Sequence, residues 1–384
     1  MSVLNSNIRL ALNWVSSKSK IMMTAQSLIV VIMGLMVVGY SANAVAQAEL
    51  AVPAKFLREL DPPGTSNSLL RPEQVFIDKR FGEVFVVDAG NNRTVVFDTA
   101  GVEKFEFSGR EEFGSPADIV VSSAGYIFMV GTRQGEGGSV YKFDYDGAYL
   151  GRLELTNLPD SAQLDVDHLA IDNNDILYLL TGSNDRIVKV DGLGQYVGEF
   201  KVLTDLEEKE RQETALGSPR IDDNRLYVPV ASIASVYVYD LSGELIRTIG
   251  MRGNNVGTLN FPIAVDVIDH SIVVVLDKHR FNVVCFTTQG AFLGEFGGMG
   301  YNQGWFYHPQ FMAVDGFGRI YISQVLRNRV QVCELPSFIA EKARSSSQTT
   351  SQTNVKPLPW EAIKEEVSLE IQNPLMYSRS FIFE

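Results

Sequence analysis

The chain reads as an all-β protein, a six-bladed β-propeller of four-stranded antiparallel blades. Three observations carry that expectation. A unit of roughly 45 residues recurs six times through the middle of the chain, as repeat folds do. Each unit alternates short β-branched and aromatic runs with Gly, Asn and Asp, the signature of strands joined by tight turns. The sixth unit ends at "VQVCELP" without a fourth strand, while an unassigned strand-like segment, "KFLREL", precedes the first. That segment is expected to complete the last blade and close the ring, which removes open sheet edges.

In chain order, residues 1–48 hold three basic residues (Arg9, Lys18, Lys20) and no acidic one. Their greasiest part, Leu28 to Tyr40, precedes the small-residue run "SANAVAQA". This is the layout of a secretory signal. Left uncut, residues 21–46 could instead serve as a single-span anchor. Either reading places the rest in the periplasm, outside the cell or elsewhere in the envelope.

Residues 49–340 are expected to form the propeller. Its clearest unit is Pro72 to Gly101, "PEQVFIDKRFGEVFVVDAGNNRTVVFDTAG". Later units start at Pro116, His168, Ser218, Phe261 and His308, and "KFEFSG", "YLGRLEL", "YVGEFKV", "LIRTIG" and "FLGEFGG" supply fourth strands. The insert Asp205 to Glu213 reads as a solvated helical turn. Residues 341–384 read as a polar linker (Ser345 to Asn354) and a tail. In the tail Trp360, Ile363 and Val367 fall on one face of a short acidic helix.

The units resemble the NHL repeat, with its leading Pro, its "AVD" and "IYVAD"-like strands and its "NxRVQVF" strand. Pro72, Asp88, Asn92 and Arg93 match it in unit one, Pro262 and Asp277 in unit five, and Pro309, Asn328 and Arg329 in unit six. Units two to four depart from it, with "VGTRQGEGG" and "VASIAS" where the Asp and Asn-x-Arg would fall. The resemblance covers about residues 50–335 and implies the propeller fold. It does not imply one chemistry. It also implies that Arg93 and Arg329 are structural, bonding blade to blade.

Composition narrows the partners. The whole chain carries −13 and its first 48 residues +3, so residues 49–384 carry −16. An acidic body argues against nucleic acid, which needs a basic footprint. A membrane enters only through the N-terminal segment. The two cysteines, Cys285 and Cys333, fall on equivalent strands of neighbouring blades but on opposite sheet faces, and are expected to be free and buried.

Ligands of propellers usually sit at the mouth of the central channel, which the innermost strands line. The position two residues after each leading proline holds Gln74, Asp118, His168, Gly217, Ala264 and Phe311. Asp118 and His168 fall on adjacent blades, where a carboxylate could orient an imidazole as a general base. Similar propellers with peptide-amidating lyase activity hold zinc on several channel histidines. Here only His168, of His168, His270, His279 and His308, takes an axis position, so no metal or other cofactor is expected. Ahead of blade six, "YNQGWFYHPQF" adds Trp305 and Tyr307 as surface-binding candidates.

The sequence thus points to a non-catalytic envelope scaffold that binds a protein partner through channel-mouth loops or the tail. Two alternatives stay open: a hydrolase or lyase built on Asp118 and His168, and a module for a small ligand or glycan at Trp305 and Tyr307.

Overall fold

The computed structural model describes residues 52–353 apart from 61–67, 109–112, 134–135, 160–163 and 182–185, with backbone only for 347–353. The expected signal or anchor segment and the tail around Trp360 lie outside the described residues. Within them, no helix is long and apolar enough to cross a membrane.

The described strands form six four-stranded antiparallel sheets. Blade one is β2 (Pro72–Asp78), β3 (Glu83–Asp88), β4 (Arg93–Asp98) and β5 (Glu103–Ser108). Blade two runs from β6 (Ser115–Val121) to β9 (Tyr149–Arg152) and blade three from β10 (Val166–Ile171) to β13 (Tyr196–Lys201). Blade four runs from β14 (Arg220–Asp222) to β17 (Leu245–Ile249). Blade five comprises β18 (Pro262–Ile268), β19 (Ile272–Asp277), β20 (Asn282–Thr287) and β21 (Phe292–Gly297). Blade six takes β22 (Pro309–Val314), β23 (Arg319–Gln324) and β24 (Arg329–Glu334) from the end of the repeat and β1 (Lys55–Leu60) from its start. Lys55 pairs with Glu334 and Leu60 with Val330, so the ring closes as the sequence predicts.

Each seam between blades has its own apolar core, and the two-residue period of the strands feeds two seams at once. Val84 and Val86 pack toward blade six, while Phe85 and Val87 pack toward blade two. Burying such a side chain is worth about 1.5–3 kcal/mol, so each strand ties its blade to both neighbours. Two glycines fit the seams closely. A Cβ on Gly147 (φ +85°) would stand 2.5 Å from the Phe107 ring, and one on Gly243 (φ +99°) 2.3 Å from the Phe200 ring.

Cys285 and Cys333 are free and buried. Opposite sheet faces of neighbouring blades meet each other, so both thiols lie in the blade five–six core. Burial raises both thiol pKa values, that of Cys333 to about 12.

Among the described residues, two α-helices decorate the ring. Helix α1 (Glu208–Gln212) is the predicted turn in the insert. Helix α2 (Ser337–Thr353) runs through most of the segment expected as a linker. Its first turns bury Ile339 and Ala343, one helical turn apart, in the blade five–six core. Phe338 and Ile339 lie over Gly294 of β21. Once that docked turn nucleates the helix, adding polar residues costs little.

The repeat arginines bond within their own blades, and Arg329 also to the loop that joins blade five to blade six. Arg93 Nε donates to Asp88 Oδ2 at 2.8 Å and its Nη1 pairs with Glu106, all in blade one. Arg329 Nη1 reaches Glu59 at 2.9 Å, in β1 of its own blade. The repeat aspartate pins the backbone ahead of the blade: Asp88 accepts from Leu70 N at 2.6 Å, and Asp277 from Phe261 N at 3.0 Å.

Candidate functional site

Of the six axis positions, Gln74 and Phe311 line a space inside the ring. That space is lined from all six blades, with Gln74, Ser218, Arg220, Asp266 and Phe311 among the lining residues. Its free volume is about 30 Å³, room for water and not for a substrate of metabolite size. In blade four, Ser218 lies beside Ala264, with Ser218 N donating to Ile263 O at 2.9 Å. Blade four thus presents Ser218 where the sequence alignment places Gly217. The bridge of Leu216 to Val230 and the pairing of Arg220 with Tyr227 repeat the one-residue bulge of the other blades, which makes Ser218 the equivalent residue.

Gln74, Asp118 and His168 meet. Asp118 is only 1% exposed. Its Oδ1 accepts from Gln74 Nε2 of blade one and, at 2.7 Å, from Ile119 N. Its Oδ2 accepts from Leu169 N of blade three at 3.1 Å and lies 3.0 Å from His168 Nδ1. One buried carboxylate therefore fastens three inner strands. With Nδ1 on the carboxylate, His168 Nε2 is left over, without a hydrogen-bond partner among the described residues.

The sequence reading missed a second device of this kind. Asp266 Oδ1 accepts from Val267 N at 2.8 Å, and Oδ2 from Val314 N of blade six at 2.7 Å. Arg220 Nε of blade four lies 3.0 Å from Asp266 Oδ1, a charge contact rather than a well-angled hydrogen bond. Asp118 thus joins blades one to three, and Asp266 joins blades four to six. Asp266 sits two residues beyond the aligned axis position Ala264, and Arg220 two beyond Ser218, the residue the structure puts at that position. The strand period could have found Asp266, because residues two apart share a face, whereas a step of two from Gly217 misses Arg220.

The remaining histidines are dispersed. His270 Nδ1 lies 2.9 Å from Asp222 in the hairpin turns of blades four and five, His279 stacks on Phe261, and His308 packs against Tyr307. Among the described residues no group of three His, Cys, Asp or Glu side chains gathers as metal ligands would.

A different region emerges where blade five meets blade six. Tyr307 stacks nearly parallel to Phe281 (centroids 6.4 Å, 12°), lies 4.5 Å from Tyr301 and meets His308 edge-on at 4.6 Å. The Arg327 guanidinium stands 5.3 Å from the Tyr301 ring centre. Tyr301 is 54% exposed and Leu326, beside Arg327, 60%. A bond to Tyr307 holds the Tyr301 hydroxyl pKa above its usual value.

The loop bearing these rings is fastened from beneath. Buried Gln331 accepts from Gly304 N at 3.0 Å and donates to Trp305 O at 2.9 Å. Gln324 Oε1 accepts from Tyr307 N at 2.9 Å, and Arg329 Nη2 donates to Tyr301 O at 3.3 Å. Trp305 lies against the backbone of Gly298 and Gly300, where added Cβ atoms would stand 2.7 Å from it. Of the two surface candidates, Trp305 is therefore partly spent on packing, whereas Tyr307 belongs to the cluster.

Phe281 adds a cost. It has φ +56°, at the turn position that Asn92 and Asn328 take with φ +53° and +52°. Asparagine tolerates the left-handed region, but a bulky side chain there costs about 1–2 kcal/mol. No sequence pattern singles out Phe281, because its significance depends on backbone conformation.

No protein-family model matches the chain, and no curated protein matches it. Among solved structures it is similar to a streptogramin B lyase, with a TM-score of 0.50, 14% identity and coverage of 73% of this chain and 98% of that one. It is similar also to an auxiliary nutrient binding protein from Bacteroides ovatus, with a TM-score of 0.54, 16% identity and coverage of 73% and 76%. A catalytically inactive virginiamycin B lyase from Staphylococcus aureus, solved with quinupristin, has a TM-score of 0.50 and 15% identity over 71% and 83%. At such identities the likeness is one of fold, a propeller that hosts both lyases and binding proteins.

Proposed function

We propose that this chain is an exported, non-catalytic NHL-type propeller that binds a partner protein of the cell envelope through the blade five–six side of the channel mouth. The observation that carries the reading is the aromatic cluster in which Tyr301, Tyr307 and His308, on a loop held by Arg329, Gln331 and Gln324, meet Phe281 of the β19–β20 turn. Rigid aromatic side chains bury area on binding at small entropic cost, and a fastened loop loses little freedom. The signal-like N-terminal segment supports export, and the repeat pattern of units one, five and six supports the NHL assignment. Affinity purification from the native envelope under mild crosslinking tests the reading. A stoichiometric partner lost on Tyr301→Ala with Tyr307→Ala supports it, and capture unchanged by that pair overturns it.

One observation favours a second reading, a hydrolase or lyase at the mouth. His168 and Asp118 have the spacing of an oriented general base. Against it, every oxygen of Asp118 is used in joining blades. Turnover on an ester or lactone panel that disappears in folded His168→Ala protein would establish this alternative.

A further inference from the structure

The end of the ring that carries this cluster is divided by charge. Helix α1 lies in the connection from blade three to blade four, at the same end as the connection from blade five to blade six that bears Tyr301 and Tyr307. Its segment, Asp205 to Glu213, sets five carboxylates against Lys209 and Arg211, and all five acidic residues are exposed.

The blade five–six side is the reverse. Carboxylates of the surrounding strands are already paired: Glu59 with Arg329, Glu73 with Arg71 and Glu295 with Arg280. Buried Asp277 accepts from backbone N–H groups. Lys278 and Arg327 are left in no ion pair among the described residues. Arg327 is exposed and stands 5.3 Å from the Tyr301 ring centre. Lys278 shares the β19–β20 turn with Phe281, and its Nζ donates to Gln310 Oε1 at 2.8 Å, two residues after His308. Exposed Leu326 and Tyr301 add apolar area beside Arg327. Two cations without a carboxylate of their own therefore stand beside a fastened aromatic cluster, on a body of net charge −16. Such a local reversal of sign selects a ligand that brings both carboxylates and apolar surface.

We infer that the blade five–six face takes an acidic segment of the partner protein, in which carboxylates flank one aromatic or large aliphatic residue. This rests on the proposed reading of the face as a contact surface and adds the chemistry of what covers it. The apolar residue lies on the Tyr301–Tyr307 rings, and the carboxylates pair with Arg327 and Lys278. The acidic α1 side repels the same segment, which confines it to one arc of the mouth.

The test uses the full-length protein and a fluorescein-labelled synthetic peptide of glutamates around a single tryptophan, read by fluorescence anisotropy. The peptide is expected to bind, and more weakly as salt is added. Control peptides with lysine for each glutamate, or alanine for the tryptophan, are expected to bind about tenfold more weakly or worse. Lys278→Gln with Arg327→Gln is expected to weaken the glutamate peptide about tenfold. Glu208→Gln with Glu210→Gln on α1 moves the net charge by as much, and is expected to change binding less than about twofold. Thermal melts check that each variant is folded, and Arg327→Glu, at an exposed position, replaces the double variant if that one is not. No binding of the glutamate peptide, binding unmoved by the Lys278 and Arg327 changes, or an equal response to the α1 changes overturns the inference. Preference for an acidic polysaccharide, polygalacturonate, over the peptide overturns it too. Envelope capture separates this claim from the one beneath it. Capture lost on Tyr301→Ala with Tyr307→Ala but kept on Lys278→Gln with Arg327→Gln leaves the contact surface standing and removes the acidic chemistry. Capture kept in both sinks both.

Discussion

The channel and the blade five–six face both gather polar and aromatic side chains at the same end of the propeller, and they use them in opposite ways. In the channel, Gln74, Asp118, His168, Arg220 and Asp266 bond to one another and to backbone N–H groups of neighbouring inner strands. On the face, buried Gln324, Gln331 and Arg329 are spent on holding a loop, while Tyr301 and Arg327 are exposed and Tyr307 and Phe281 half-buried beside them. Polar groups that satisfy one another stabilise a fold. Rings and cations presented on a fastened loop are available to something else.

The largest expected effect breaks the channel side of this contrast. Asp118→Ala leaves Leu169 N and His168 without their acceptor, and removal of one partner from a buried charged network costs about 3–5 kcal/mol. For a domain of this size that lowers the thermal midpoint by on the order of 10 °C. Asp266→Ala should behave alike, because it performs the same task for blades four to six. Melting followed by circular dichroism checks both, and a neutral result would show that the seam cores alone close the ring.

Next in size is the double change Tyr301→Ala with Tyr307→Ala. Partner capture should fall about tenfold or more, with a much smaller loss of stability than at Asp118. Phe281→Asn sharpens the contrast further. Asparagine suits the left-handed turn, so the variant should gain roughly 0.5–1 kcal/mol in a denaturant melt while capture weakens. A loss of stability there would mean that ring stacking on Tyr307 outweighs the backbone cost.

How far the sequence reached follows from what each feature depends on. Ring closure by Lys55–Leu60 was legible because a missing fourth strand and a spare strand are both visible in one dimension. The Asp118–His168 contact was legible because a fixed period places equivalent residues on adjacent blades. Asp266 was missed because one axis position per strand was followed where the two-residue period offers more. The within-blade bonding of Arg93 was hidden since it depends on Glu106 across the neighbouring strand pair. Phe281 was hidden because only backbone conformation sets it apart from other turn residues.

Two smaller effects concern groups outside both regions. Cys285 and Cys333 should resist a thiol reagent in the native protein and react on unfolding, because burial holds both thiols protonated. Fast labelling of native protein would show that the blade five–six seam opens. The exposed His270 has its pKa raised by the hydrogen bond to Asp222. Its stabilising contribution is therefore complete below the ordinary histidine value of about 6.5. It is lost as pH rises through the folded value. At this exposure it is worth at most a few tenths of a kcal/mol, roughly. An NMR titration should show the shift, and Asp222→Asn should abolish it.

The most direct measurement sets the two regions side by side: thermal midpoint and envelope-partner capture for Asp118→Asn and for Tyr301→Ala with Tyr307→Ala, at a temperature where both remain folded. The account predicts a crossed result, with stability lost and capture kept in the first and the reverse in the second. Capture lost in the folded Asp118→Asn protein and kept in the tyrosine double variant would contradict it, and would move the functional site into the channel.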